Sequence, residues 1–461
     1  MANKRQTKKA VNTAKKVVKK NKNKPGFWIL LGIIFVCIII FGVIYCTKIN
    51  PNILSNIKGD TPSESSSKTD NNSSNVEGVI YDDFQIHFLE FESNSAGDSI
   101  YIKAGDNDIL IDAGNKTDNS TKLKSQIDEY CTDNKLEYVI ITHGDQDHIQ
   151  SFVGKSATST NGILYTYDVD NIIYNNKTSK NTKIYNALIS AIDKKVENGT
   201  NRCLASSYFE SDGLTSKDSA TISLSNNVSM TILWNKYYFT SSSDENNYSV
   251  SVLFTYKESE EEHNFILTGD LEKDGEEAMV EHYSKGTYGS LPHVDLYKGG
   301  HHGSKTSSTS KFLAAITPDI CCVCTCAGTN EYTTDYTNQF PTQQFINRIA
   351  KYTDKVYVTG LYENGEFKSM NGKITVSCGK NESGKVEVAV AATNNLTKLK
   401  DSTWFNETIY VTDYKEATST DLDDINSCAH GTNSAKSGDN TFYTKDTAGV
   451  TAVKRRVWNG V

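Results

Sequence analysis

Four side chains able to bind divalent metals fall within six residues. They are His143, Asp145, Asp147 and His148, in Thr142-His143-Gly144-Asp145-Gln146-Asp147-His148. Imidazole and carboxylate are the donors of hydrolytic metal centres. The cluster follows LEYVIITH (136–143), an apolar β-rich run that reads as a strand. In extended chain, His143 and Asp145 face one way. Asp147 and His148 follow as the chain turns. One loop can then serve two ions a few ångströms apart. Taken alone, such a cluster could also be an ordinary solvated turn.

Three further pieces share this layout. FILTGD (265–270) is an apolar run that ends on Asp270. LYKGGHHGSKTSS (296–308) runs from a strand into His301, His302, Gly303, Ser304 and Lys305. DILIDAG (108–114) delivers Asp112 at its end. The elements that must position these residues alternate along the chain. Strand-like runs lie at 84–91, 99–105, 108–114, 221–224, 228–233, 248–256, 263–270, 293–300, 319–324 and 355–360. Helical stretches lie at 121–130 and 273–284. Strand ends repeatedly supply His or Asp, and in layered α/β folds such ends converge on one edge.

With these motifs in hand, the chain resembles the metallo-β-lactamase fold superfamily. Within it, the likeness is to the extracellular hydrolase domain of the ComEC DNA-uptake family. The matching pieces are DILIDAG, THGDQDH, the Asn246-Asn247-Tyr248-Ser249 step, FILTGDLE and KGGHHGSKTSS, in the family's order over about residues 82–380. The H-x-D-x-D-H form, with Asp145 where most of the superfamily has His, is typical of that branch. The many membrane spans of ComEC are absent from this sequence, which weakens a DNA-transport role.

The resemblance implies an αββα sandwich with a dinuclear metal site at one edge. His143 and Asp145 would hold the first ion, and Asp147 and His148 the second. Asp270 would bridge them through both carboxylate oxygens. His302 would complete the second site, with His301 as its hydrogen-bonding or proton-donating neighbour; the opposite assignment of this pair stays open. Asp112 would fix the loop of the His143 cluster. Most relatives carry another His between the first cluster and the bridging Asp. Here only His263 lies between His148 and Asp270, and it precedes its strand and is expected to face solvent. Asn247 is a candidate stand-in for that ligand, or a residue that shapes a turn. Asp147, His301 and Lys305 are the candidate catalytic residues. Ser304, Lys305 and Asn247 are candidate substrate contacts, with Lys305 set to pair with phosphate. The cofactor expected is two divalent ions, zinc or manganese.

The charge distribution adds a location. Ten of the 48 Lys and Arg lie in residues 1–24, which hold no acidic residue. The rest of the chain carries 38 basic against 56 acidic residues, a balance of −18. Between the two lies FWILLGIIFVCIIIFGVIYC (27–46), twenty residues without a charge. At 1.5 Å per residue it spans roughly 30 Å, a bilayer core. The basic flank puts residues 1–26 in the cytosol and the acidic body outside, as a single-pass cell-membrane protein. Residues 47–80 read as a polar tether, with its Ser-rich part reaching roughly 25 Å. The hydrolase domain is expected over 81–380, with an extension of unassigned role over 381–461. Cys321, Cys322, Cys324 and Cys326 lie in one apolar run and read as small core residues of a strand rather than a zinc clamp.

The function expected is a membrane-anchored, extracellular, metal-dependent phosphodiesterase or nuclease. Its substrate would be a phosphodiester, whether DNA or a cell-wall polymer. The acidic body disfavours broad, sequence-independent affinity for DNA. Two other readings remain. One is a surface esterase on cell-wall or small phosphodiesters, like the phosphorylcholine esterases that this group resembles. The other is a non-catalytic binding module with a weakened metal site.

Overall fold

Residues 77–332, 335–412 and 448–461 are described by a computed structural model. The proposed membrane segment, 27–46, lies outside them. Among the described residues no helix is long and apolar enough to cross a membrane.

Two sheets dominate. The chain opens the first with β1 (Glu77–Gly78), β2 (Phe84–Phe88), β3 (Ile100–Ala104), β4 (Asn107–Ile111), β5 (Lys135–Ile141), β6 (Asp168–Tyr174) and β7 (Asn201–Leu204). It crosses to the second for β8 (Thr221–Ser223), β9 (Val228–Ile232), β10 (Val252–Glu258), β11 (Glu261–Leu267), β12 (Leu296–Lys298), β13 (Ile320–Ala327), β14 (Val356–Glu363) and β15 (Glu366–Ser369). It then returns for β16 (Ile374–Lys380) and β17 (Val386–Ala392). The strand orders are β1-β17-β16-β2-β3-β4-β5-β6-β7 and β15-β14-β13-β12-β11-β10-β9-β8. Strands β4 to β7 run parallel, and so do β11 to β14.

Side-chain alternation explains the layering. In β3, Ile100 and Ile102 enter the cluster shared with Met230, Ile232, Phe254 and Phe265 of the second sheet. Tyr101, between them, faces the other way, into a cluster with Leu110 and Val139. Helices α1 (Ser120–Ile127), α2 (Gln146–Val153) and α3 (Lys183–Glu197) bury Leu123, Ile149, Phe152, Leu188 and Ile192 in that outer cluster. Helices α4 (Lys273–Ser284), α5 (Ser310–Ile316) and α6 (Gln343–Ile349) pack on the second sheet. Tyr297 of β12 meets Phe312 of α5 at 5.7 Å between ring centres. The order is therefore helix, sheet, sheet, helix.

Two expected boundaries move. β17 pairs with β16 along its length, so residue 380 sits inside a hairpin rather than between domains. Glu77 and Gly78 pair with the far edge of β17, so the sheet begins before residue 81. The tail also docks on the body. The Arg456 guanidinium donates to the carbonyls of Tyr336, Gln339 and Pro341, and Arg455 pairs with Glu407. The run expected to be a cysteine core strand is β13, buried throughout, and its four cysteines are free.

His282 of α4 is sandwiched between Trp234 and Tyr288, with ring centres at 4.2 and 4.4 Å and near-parallel planes. Burial first, and Lys285 second, push its pKa down to about 4. The unfolded chain takes up this proton near pH 6.5, whereas the folded chain resists it. The contribution is therefore complete above pH 6.5 and is lost as pH falls towards and through 4. Denaturant titrations should find the protein up to about 2 kcal/mol less stable at pH 5 than at pH 7.5 on this account. His282→Phe should flatten that difference; an unchanged pH profile in the variant would remove His282 as its source.

Candidate metal centre

The motifs occupy matching places. Asp112 follows β4, His143 follows β5, Asp270 follows β11 and His301 follows β12. All four lie past the carboxyl ends of parallel strands, where crevices open in α/β folds. The two sheets meet there. Val250 N donates to Thr142 O at 2.9 Å. Gly269 has φ +57, and a Cβ on it would lie 2.8 Å from the Thr142 Cβ. Only glycine lets the Asp270 loop come this close to the His143 loop.

Asp112 is the organiser of the first loop. Its backbone sits at φ 56, a strained region that Asp tolerates better than most residues. Its Oδ1 accepts from Thr142 N at 2.8 Å and its Oδ2 from Thr142 Oγ1 at 2.6 Å. Oδ2 also accepts from His148 Nδ1 at 2.7 Å.

These bonds fix how the histidines point. The Thr142 hydroxyl proton is used on Asp112, so Thr142 Oγ1 accepts from His143 Nδ1 at 3.1 Å. His302 Nδ1 donates to Cys324 O at 2.9 Å. In His143, His148 and His302 alike, Nδ1 is held by an acceptor and Nε2 is turned inward. This is how protein frameworks orient metal-binding imidazoles. His148 Nε2 lies 3.0 Å and His302 Nε2 3.2 Å from Asp270 Oδ2. His302 Nε2 is 3.7 Å from Asp147 Oδ2, and His143 Nε2 is 3.6 Å from Asp145 Oδ2. Both His143 Nε2 and His302 Nε2 are buried with no hydrogen-bond partner. Buried imidazole nitrogens left this way beside carboxylates fit a divalent ion. The sets His143–His148–Asp270 and Asp147–His148–His302 each bring their donor atoms within 4.8 Å of one another.

Two more buried groups complete the centre, Asp98 and Lys298. The Lys298 ammonium is fully buried, 2.5 Å from Asp98 Oδ2 and 3.1 Å from Asp270 Oδ1. Asp98 Oδ1 lies 3.3 Å from His302 Nδ1. Asp270 was expected to offer both oxygens to metal; here Oδ1 serves the lysine, because a buried ammonium needs anionic partners. Oδ2 alone faces the histidines.

Burial by itself would raise the Asp147 and Asp270 pKa values. The surrounding imidazoles overcome it, joined at Asp270 by Lys298, and hold both carboxyls ionised. The same ion pairs hold His148 and His302 protonated well above the usual range, against the opposing effect of burial.

His301 and His302 are consecutive left-handed residues, at φ 45 and 53. Such conformations cost about 1–3 kcal/mol each and persist only where the surroundings enforce them. Arg348, fully buried, does so by donating to the carbonyls of Lys305, Ser307 and Ser308. Glu276, also buried, accepts from the amides of Ser308 and Thr309. The result places His302 among the carboxylates and His301 on their flank. His301 Nδ1 is 3.0 Å from Glu272 Oε1, and its Nε2 is 3.9 Å from Asp270 Oδ2.

The remaining candidates divide. Ser304 Oγ bonds Thr306 Oγ1 at 2.9 Å, and Lys305 Nζ donates to Asn338 Oδ1 at 2.9 Å. Asn247 does not join the donor set. Its Oδ1 accepts from Gly275 N at 3.2 Å, at the start of α4. Ser249, two residues on, reaches the centre instead, 3.4 Å from His143 Nδ1 and accepting from Asp270 N at 3.2 Å. His263 is paired with Asp295 at the other end of β11. Tyr332 was not foreseen: its hydroxyl donates to Asp147 Oδ2, and Lys116 lies over its ring at 4.1 Å.

The family profile described as "Metallo-beta-lactamase superfamily" matches residues 94–151. The chain is 34% identical over 96 residues to "Competence protein ComA" of Neisseria gonorrhoeae, a match spanning 21% of this chain and 12% of that protein. Among solved structures it is similar to the metallo-beta-lactamase fold protein YhfI from Bacillus subtilis (13% identity, 46% of this chain and 69% of that one, TM-score 0.26). It is also similar to the metallo-beta-lactamase GOB-18 from Elizabethkingia meningoseptica (12% identity, 50% and 77%, TM-score 0.23). The family and relative matches agree with the resemblance drawn from the motifs, a ComEC-like protein of the metallo-β-lactamase fold.

Two outcomes follow for this centre. Lys298→Met leaves Asp98 and Asp270 buried without their cation, so it should cost about 3–5 kcal/mol of unfolding free energy. Saturating divalent ion should restore part of it; an unchanged midpoint in denaturant would contradict this role. Metal entry must also displace protons from His148 and His302. Apparent metal affinity should therefore rise with pH, and calorimetric heats should vary with the buffer's ionisation enthalpy. Heats independent of buffer would show that both imidazoles are already neutral.

Proposed function

We propose that this protein is a metal-dependent hydrolase of phosphodiesters, anchored at the outer face of a cell membrane. The observation that carries the reading is the donor set itself. Three imidazole Nε2 atoms and the carboxylates of Asp145, Asp147 and Asp270 converge where the two sheets meet. His143 and Asp145 would take one divalent ion and Asp147, His148 and His302 another, with Asp270 Oδ2 between them. Zinc or manganese would supply Lewis acidity towards a phosphoryl oxygen and lower the pKa of an attacking water.

The chain's own residues supply the rest. Asp112, Thr142 and Cys324 O orient the ligating rings. Glu272 and Thr306 hold His301 by Nδ1, and its Nε2, on the flank of Asp270 Oδ2 at 3.9 Å, would give a proton to the departing oxygen. Lys305 and Ser304 sit on the same tight turn, where a cation and a hydroxyl suit a phosphate group. The phosphodiester class, the choice of DNA or a cell-wall polymer, and the outward-facing location rest on the motifs and the charge pattern. A cell-surface esterase acting on small phosphodiesters would use the same centre.

The test is hydrolysis of bis(p-nitrophenyl) phosphate and of single-stranded DNA by the purified protein with zinc or manganese. Asp270→Ala should lower kcat by about 10³ or more, as expected when metal-held catalysis is lost. His301→Ala should lower kcat by about 10²–10⁴ with metal content unchanged. Turnover of the small ester alone would favour the esterase. Stable, metal-loaded protein that turns over neither substrate would favour a binding module.

A further inference from the structure

The two halves of the donor set are unequal. On one side His148, His302, Asp147 and Asp270 turn two imidazole nitrogens and two carboxylate oxygens towards each other. On the other stand His143, whose ring gathers with the shared His148 and Asp270, and Asp145, whose Oδ2 is 3.6 Å from His143 Nε2. Where β10 enters this side, the residue present is Ser249, and its hydroxyl bonds the His143 ring and the Asp270 amide.

Asp145 is already engaged. Its Oδ1 is 2.5 Å from the Lys180 ammonium. This pairing is built into the fold. Glu245, 3% exposed, accepts from Gly144 N at 2.9 Å through Oε1. Its Oε2 accepts from Ser179 N at 2.6 Å and from Ser179 Oγ at 2.9 Å, and Thr178 Oγ1 donates to it as well. Thr178 Oγ1 in turn accepts from Lys180 N at 2.9 Å. One buried carboxylate thus clamps the residues before Lys180 to the glycine between His143 and Asp145. Lys180 itself is 30% exposed in its side chain, so it has a way out to solvent.

An ammonium and a divalent ion compete for the same carboxylate. The ammonium is a compact single charge on a flexible stem. We propose that Lys180 is an internal counter-ion for the first metal position. Its ammonium holds Asp145, so the position built from Asp147, His148, His302 and Asp270 fills tightly. The position at His143 and Asp145 fills at higher free metal, as Lys180 swings towards solvent. The inference rests on the metal-centre reading above. It adds a residue that sets how many ions the centre holds at a given metal concentration.

Binding of manganese to the full-length protein tests this, with free Mn²⁺ read by electron paramagnetic resonance and no substrate present. The wild type should bind one ion tightly and a second at least about tenfold more weakly. Lys180→Met should tighten the second ion about tenfold and leave the first unchanged. Lys180→Arg, which keeps the charge, should behave as the wild type. Asp145→Asn should lose the weak ion and keep the tight one. Two equally tight ions in the wild type overturn the proposal. So does a second ion that Lys180→Met leaves unchanged or weakens, and so does loss of the tight ion in Asp145→Asn. A wild type that binds no manganese or zinc at all removes the metal-centre reading, and this proposal with it.

Discussion

The structure depends on an excess of buried negative charge where its two sheets meet. Asp98, Asp112 and Asp270 are each at most 2% exposed, and Asp145 and Asp147 stand beside them. Charges this close and this dry cannot remain ionised without cations. Lys298 is one cation, fixed between Asp98 and Asp270. Lys180 beside Asp145 is another, and the carboxylates raise the pKa values of His148 and His302 well above the usual range, so that these rings add positive charge. A lone buried lysine is costly, and so is a lone buried carboxylate; together they hold each other in place. The arrangement also couples the sheets. Asp98 precedes β3 of the first sheet, while Asp270 and Lys298 belong to the second.

Much of this centre is legible in the sequence because its parts are local. An apolar run that ends on Asp or His announces both the strand and the residue it presents. DILIDAG, THGDQDH, FILTGD and KGGHHGS each do so within a few residues. The resemblance added the order of the pieces and the sandwich. What stayed hidden is long-range. Asp98 lies in an unremarkable SAGDS stretch, and its meaning appears only when Lys298, 200 positions later, folds onto it. Glu245 is one acid in a polar loop until Gly144 and Ser179 close around it. Tyr332 and Arg348 act on loops far from their own sequence neighbours. The segment 163–204 hid two strands, β6, because DVDNIIY has only a short apolar end, and the four-residue β7, as well as α3, whose buried face is half alanine: Ala187, Leu188, Ala191 and Ile192.

Backbone strain shows which part of the centre the fold works hardest to keep. Two left-handed histidines in a row are unfavourable, yet this geometry sends one ring to the carboxylates and the other to Glu272. Arg348 and Glu276 share the burden from opposite sides, one binding carbonyls and the other amides of the 305–309 turn. Neither touches the donor set. Their burial explains the dependence on α4 and α6, which carry Glu276 and Arg348 to the turn. Packing of those helices against the second sheet therefore sets the position of His302.

The asymmetry proposed for the two halves of the donor set follows from the same economy of charge. A centre with five carboxylates and no ion would be self-repelling, so the apo state needs resident cations. Lys298 is buried and permanent. Lys180 is partly exposed and leashed through Glu245, which makes it removable. A fixed cation stabilises the fold whatever the metal supply, whereas a displaceable one lets the centre respond to it. Ser249, standing where β10 enters the first position, adds no charge or imidazole to compete with the lysine. Weaker binding at the first position, as proposed, would result from what the chain puts there as much as from what it leaves out.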